Sequence, residues 1–402
     1  MVLSECGGVL VTLLPTRFVI GASTSAHQTE GNNVASDWWA LEHADGSPMA
    51  ASGDACDSFE RWPQDMDIAA AAGLNAYRFS IEWARIEPAP GQWSAAAIDH
   101  YRRMVQGARE RGLEPIVTLH HFTNPAWFAR AGGWLAPDAV ERFTAYVETV
   151  LPVLDAGVSR VVTINEPNMV AIMHRVLTGE VTLGSGLGGL LPLPHEGVRD
   201  VLIAAHGAAR SLLRAHRGDL AVGWSVANQT VQWTAAGAEQ GRAYRAAVED
   251  VWLSAAVHDD FIGVQAYTRT VFDADGKVEP EAHVARTTTG WEYYPEALGE
   301  SIRHTADLLP GVPILVTENG ISTRSDEQRI AYTTGALQGL GACLDDGIDV
   351  RGYLHWSLLD NYEWGNWEPT FGLIAVDRTT FARTPKPSLA WLGEIARTGR
   401  MP

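Results

Sequence analysis

Eight runs of strand length, mostly apolar and separated by stretches with helical spacing and helical end signals, constrain this chain more than any other feature. They are expected over Phe18–Ser23, Asn75–Ile81, Pro115–Phe122, Arg160–Asn165, Ala221–Ala227, Asp260–Tyr267, Pro313–Thr317 and Val350–Trp356. Helices are expected between and after them, over Asp65–Gly73, Ser94–Gly112, Pro137–Ala156, Glu196–His216, Glu239–Val257, Pro295–Leu309, Ser325–Gly347 and Pro387–Ala396. Most of the strands lack the polar alternation of a half-exposed sheet. A parallel sheet covered on both faces needs that kind of strand. The pattern therefore predicts an α/β protein built as a single closed (β/α)8 TIM barrel. An open doubly wound sheet is the second choice, because no Gly-rich dinucleotide fingerprint follows any strand. Residues 17–402 are assigned to the barrel and residues 1–16 to a loose leader. The Gly-rich loop Gly179–Gly189 lacks the spacing of a phosphate-binding loop.

Composition excludes several classes of function. The chain carries 30 Lys plus Arg against 48 Asp plus Glu, a formal charge of −18, which argues against nucleic acid and anionic membranes as partners. No apolar stretch is long enough to span a bilayer. Cys6, Cys56 and Cys343 are few and widely separated, so neither a disulfide framework nor a Cys-based metal site is expected. The start lacks a basic segment and carries Glu5 instead, which reads as a cytoplasmic protein. No cofactor and no metal are expected, and oligomeric state is not readable.

Two carboxylates stand at matching points in this pattern. Glu166 ends the fourth strand in Thr163-Ile164-Asn165-Glu166-Pro167, and Glu318 ends the seventh in Thr317-Glu318-Asn319-Gly320. In a barrel, both fall at the carboxyl ends of the strands, where active sites form. A helix cap is the structural alternative for a lone Glu after a strand. A pair facing one cavity suits cleavage of a glycosidic bond, with one carboxyl protonated and the other ionised. Arg78 would place a permanent cation among the strand ends, Tyr267 a hydrogen-bond donor, and Asn165 a group able to read a hydroxyl. His120 and His121 are adjacent on one strand and so point to opposite faces. One ring is expected in the cavity and one in packing, not both on a metal. The chain has 15 tryptophans. Trp356, Trp364 and Trp367 lie beyond strands where flat faces could stack on a sugar, whereas Trp83, Trp134 and Trp224 are assigned to the core.

Taken in order, the motifs are specific. Phe18-Val19-Ile20-Gly21-Ala22-Ser23 leads to Gln28-Thr29-Glu30-Gly31. Tyr77-Arg78-Phe79-Ser80-Ile81-Glu82-Trp83, His121, the Asn165-Glu166-Pro167 and Glu318-Asn319-Gly320 segments, and Trp356-Ser357-Leu358-Leu359-Asp360-Asn361-Tyr362-Glu363-Trp364 follow. The set resembles glycoside hydrolase family 1, the retaining β-glucosidase family, from Phe18 to about Ala396. The resemblance implies a β-glycosidase acting on a small β-glycoside or short oligosaccharide, with Glu166 as acid/base and Glu318 as nucleophile supported by Arg78 and Tyr267. It implies that Gln28, His121, Asn165, Glu363 and Trp364 contact the terminal sugar, with Trp356 as its stacking floor. Retention of Glu363-Trp364 favours a neutral over a phosphorylated sugar. Three features depart from the family pattern: Phe122 where Trp is common, Gln265 where Asn is usual, and a shortened segment 365–371 without a common Arg. They touch the entrance and leaving-group side, where Glu368 is expected to repel an anionic aglycone. The competing readings are a catalytically silent glycan-binding barrel and a transglycosylase using the same two glutamates.

Overall fold

A computed structural model describes residues 4–6, 9–182 and 190–402, with side chains from residue 12 onward. Residues 183–189 of the Gly-rich loop, and most of the expected leader, lie outside the described side chains. Eight parallel strands close into a barrel in sequence order. They are β1 (Val19–Ser23), β2 (Ala76–Ser80), β3 (Glu114–His120), β4 (Arg160–Asn165), β5 (Ala221–Asn228), β6 (Ile262–Ala266), β7 (Ile314–Asn319) and β8 (Val350–Trp356). Pairing of β8 with β1 completes the ring. Closure leaves no barrel strand with an unpaired edge.

Val19, Ala76, Ile116, Val162, Leu315 and Leu354, from six different strands, pack together with Phe261 at the foot of β6. Residues on so many strands meet only inside the barrel, so this cluster plugs its amino-terminal half. Each fully buried aliphatic side chain contributes about 1.5–3 kcal/mol. Two residues beyond Ala76, on the same face of β2, is Arg78. The plug thus forms the base on which the polar end of the barrel rests.

The helices form an outer ring, with departures from the expected spans that have local causes. The helix expected from Asp65 begins at Ser58 and runs through Pro63; it ends at Gly73, whose φ of 104° is left-handed. The span 137–156 is two helices, Ala139–Thr149 and Leu151–Leu154, with Pro152 in the second. The span 239–257 contains a π-helical turn, Ala246–Asp250. That turn carries the buried Glu249, which accepts from Asn228 Nδ2 (2.7 Å) and Gln229 N (3.1 Å) and so anchors the end of β5. A helix not anticipated from the sequence, Pro167–Leu177, starts directly after Glu166.

Part of the expected leader is paired. Val9–Leu13, a run of Val, Leu and Thr suited to extended backbone, lies antiparallel to Arg400–Met401. Short strands Val231–Trp233, Thr270–Asp273 and Gly276–Val278 form a separate sheet beyond β5 and β6. Among the described residues no helix is long and apolar enough to cross a membrane.

Candidate active site

A cavity of about 600 Å³ opens at the carboxyl ends of the strands, lined by Glu166, Glu318, His121, Tyr267, Trp356 and Glu363 among others. Strict alternation would not aim these groups inward together. From Leu315 in the plug, a period of two turns Glu318 outward. Between Val316 and Asn319, however, β7 has one residue more than β8 opposite it, and a matching shift occurs against β6. Likewise β4 carries one extra residue between Val162 and Asn165 relative to β5. These two bulges re-aim Glu318 and Asn165 into the barrel. Gly320 is required just beyond, since a Cβ there would stand 2.1 Å from the Trp356 carbonyl oxygen.

Glu318 is held on both oxygens. Oε1 accepts from Arg78 Nη1 at 2.6 Å and Oε2 from Tyr267 OH at 2.7 Å. Arg78 is itself fixed, donating to Thr118 Oγ1 (2.9 Å), the Thr317 carbonyl (3.3 Å) and Asn165 Oδ1 (2.5 Å). Burial pushes the Glu318 carboxyl above the ordinary range, and Arg78, Tyr267 and Gln265 pull it back. Tyr267 stays protonated because burial first, then Glu318 and Glu166, oppose its ionisation.

Glu166 stands otherwise. Its backbone is left-handed (φ 46°) and its side chain makes no cap to the helix it precedes, so the capping alternative does not hold. Burial drives its carboxyl well above the ordinary range, Glu318 and Glu363 add to that, and Arg78 opposes. Burial raises both carboxyls, but only Glu318 has Arg78 and Tyr267 bonded to it to oppose that rise, so the two environments are pushed apart as an acid and an anion require.

Around this pair the polar groups are ordered one behind another. Because a guanidinium only donates, Asn165 Oδ1 is the acceptor of the amide, and it also takes a bond from Gln265 Nε2 (2.8 Å). Asn165 Nδ2 therefore donates to His121 Nε2 (3.3 Å), which assigns the ring proton to Nδ1. Nδ1 has no partner among the described residues. Burial, with Arg78 next, keeps this imidazole neutral. Glu363 accepts from Gln28 Nε2 (3.1 Å) and Trp356 Nε1 (3.2 Å). Burial raises its carboxyl to about 8 despite those bonds.

Two of the groups expected on the sugar are not exposed to the cavity. Gln28 and Asn165 are fully enclosed. Gln28 Oε1 takes a bond from Ser25, and its amide nitrogen donates to Asn361 Oδ1, the Tyr362 carbonyl and Glu363. Their hydrogen-bonding capacity is spent on Glu363, Arg78 and His121, and they act on the cavity through those residues. The ring of His121 lies parallel to Trp356 at 5.8 Å and to Trp364 at 6.2 Å. His120 instead packs edge-on against Trp134 at 5.2 Å. Trp83, Trp134 and Trp224 are buried. Glu368 does not border the cavity; it is exposed and paired with Arg324 at 2.6 Å.

Sequence reading missed two contributors. His27, adjacent to Gln28, stacks on Trp364 at 5.8 Å and 8° and pairs with Glu42 at 2.9 Å. Met169, Met173, Val176 and Leu177 line the outer cavity, and their spacing of four, three and one is that of one helical face. That signal is present in the sequence, in a segment to which no element is assigned from sequence.

With this geometry in hand, comparison with known proteins is direct. The family model described as Glycosyl hydrolase family 1 matches residues 11–271 and 260–401. Beta-glucosidase A of Thermotoga maritima is 27% identical over 96% of this chain and 98% of its own. A bifunctional beta-D-glucosidase/beta-D-fucosidase of Bifidobacterium breve is 29% identical over 95% and 98%. A solved beta-glycosidase from Pyrococcus horikoshii superimposes with a TM-score of 0.87 at 31% identity, covering 98% of this chain and 96% of that one.

Proposed function

The chain belongs to glycosyl hydrolase family 1, and from that premise we propose that it releases a terminal neutral β-linked monosaccharide by double displacement, with Glu318 as nucleophile and Glu166 as acid/base. The reading rests above all on the contrast between the two carboxyls: one gripped by a buried Arg78 and by Tyr267, the other bonded to neither. In the first step a Glu318 oxygen forms a bond to the anomeric carbon, the bond to the leaving oxygen breaks, and Glu166 delivers its proton to that oxygen. In the second, Glu166, now a carboxylate, takes a proton from water. The water oxygen bonds to the anomeric carbon and Glu318 is released. Two inversions return the original configuration.

His121 and the Glu363 carboxyl are the polar groups beside the glutamate pair that line the cavity where the sugar sits, and the Trp356 ring is its apolar floor. Asn165 and Gln28 hold those groups in position. Retention of Glu363-Trp364, which the family resemblance links to non-phosphorylated sugars, supports a neutral one. Glucose and fucose are named among the activities of the relatives. The chemistry is the same whether water or an alcohol accepts the glycosyl group. A panel of nitrophenyl β-glycosides identifies the sugar, and proton NMR of the first product identifies the mechanism. We expect the β-anomer initially. An α-anomer formed first identifies an inverting enzyme and contradicts the assignment.

A further inference from the structure

The deep end of the cavity is built to read hydroxyls, but the wall through which a leaving group must pass is not. The leaving oxygen has to meet Glu166, which immediately precedes the helix Pro167–Leu177. From that point outward the same helix offers Met169, Met173, Val176 and Leu177 to the cavity, joined by Leu191. Glu166 to Leu177 is eleven residues, about 16 Å of helix at 1.5 Å per residue. The face ends in solvent, with Leu177 45% exposed, and the chain returning past it leaves Leu190 and Leu193 42% and 49% exposed. Methionine and leucine side chains adapt to varied apolar shapes and supply no fixed hydrogen bonds.

The facing wall carries polar residues, but their donors are largely taken within the protein: Arg286 donates to the carbonyls of Gly290 and Pro280, and Lys277 to Glu279. Arg269 pairs with Glu292 at 2.7 Å and donates to Gln232. Asn228 is taken by Glu249 and by the amide of Gln265. Thr287 bonds to Thr289, and Thr288 to Ser322. A second sugar in this outer region would find its hydroxyls facing thioethers and aliphatic carbons on one side and occupied donors on the other. Burying unpaired hydroxyls is unfavourable, whereas removing an alkyl chain from water is favourable.

Resting on the glycosidase reading above, we infer that the natural substrates carry a slender hydrophobic aglycone, an alkyl or similarly apolar alcohol, and not a second sugar. The aglycone lies along the Met169–Met173–Leu177 face with its glycosidic oxygen at Glu166.

The n-alkyl β-glycosides of the sugar identified by the nitrophenyl panel, from ethyl to octyl, test this, because their leaving alcohols are chemically alike and differ in length. They are used below the concentration at which they form micelles. We expect kcat/KM to rise about 2- to 4-fold per methylene over the first several carbons, the range set by partial to full burial of each group. Met173→Gln should flatten that slope, with thermal unfolding used to check that the variant is folded. A flat series in the native enzyme, or a β-1,4-linked disaccharide of the same sugar cleaved with higher kcat/KM than the octyl glycoside, overturns the inference and leaves the glycosidase reading standing. Failure to cleave any member, the nitrophenyl glycosides included, overturns both.

Discussion

The inner and outer halves of the cavity are made of opposite materials. At the inner end a buried cation, three carboxyls, a neutral imidazole and an indole N–H converge, several of them linked through the enclosed Asn165 and Gln28. At the outer end one helix face supplies methionine, valine and leucine to the mouth. The lesson is that selectivity is divided. Fixed polar groups distinguish one sugar from another, because an unmatched hydroxyl there is left unbonded in a dry site. Apolar contact discriminates only by size and length, about tenfold to a few hundredfold for a small change. Strict choice of sugar and lenient choice of aglycone follow from that division.

The largest effect belongs to the inner end. Glu318→Gln removes the attacking group, and turnover of a nitrophenyl glycoside should fall by roughly 10⁵-fold, by analogy with loss of a nucleophile from other hydrolases. Near-normal turnover would break the comparison outright, because the gripped carboxyl would then not be the reacting one. Glu166→Ala should cost roughly 10²- to 10⁴-fold on an alkyl glycoside, whose alcohol needs a proton, and far less on a dinitrophenyl glycoside, whose phenolate leaves without one. Equal losses on both substrates argue against Glu166 as the proton donor.

A smaller effect concerns stability. The Glu363 carboxyl is raised from 4.5 to about 8 in the folded chain. At pH below 4.5 it is protonated whether folded or unfolded and carries no penalty. Between 4.5 and 8 the unfolded chain ionises freely while the folded one resists, so the group increasingly destabilises the fold, and above 8 that cost is complete. Glu363→Gln should therefore raise Tm by about 2–4 °C more at pH 8.5 than at pH 4.5. A pH-independent difference would mean that the carboxyl is not held in a dry inner pocket. It would also blur the line between the two halves, because a solvated carboxyl would then stand between them.

Much of the barrel was legible because parallel strands buried on both faces read as short apolar runs, and β4 and β8 coincide with the expected spans. The Arg78–Glu318–Tyr267 cluster could be anticipated from strand ends alone. The side that each residue faces could not. Nothing in Leu315-Val316-Thr317-Glu318 marks the extra residue in β7, which depends on register against both neighbours. The enclosure of Gln28 and Asn165 was hidden for a related reason: composition indicates which groups can bond, but three-dimensional packing decides which bonds are already taken. The helix after Glu166 was missed although its apolar spacing was regular, since Pro167 was read as the end of a strand and not as the first residue of a helix.

The central claim is that the gripped carboxylate becomes covalently bonded to the sugar. A 2-fluoro-2-deoxy glycoside with a dinitrophenyl leaving group slows the second step more than the first, so the intermediate accumulates and can be digested and mapped by mass spectrometry. The account predicts one fluoroglycosyl unit per chain, on the peptide containing Glu318 and at that residue. A label on Glu166 or elsewhere, or release of the phenol with no label on an otherwise active enzyme, would contradict it.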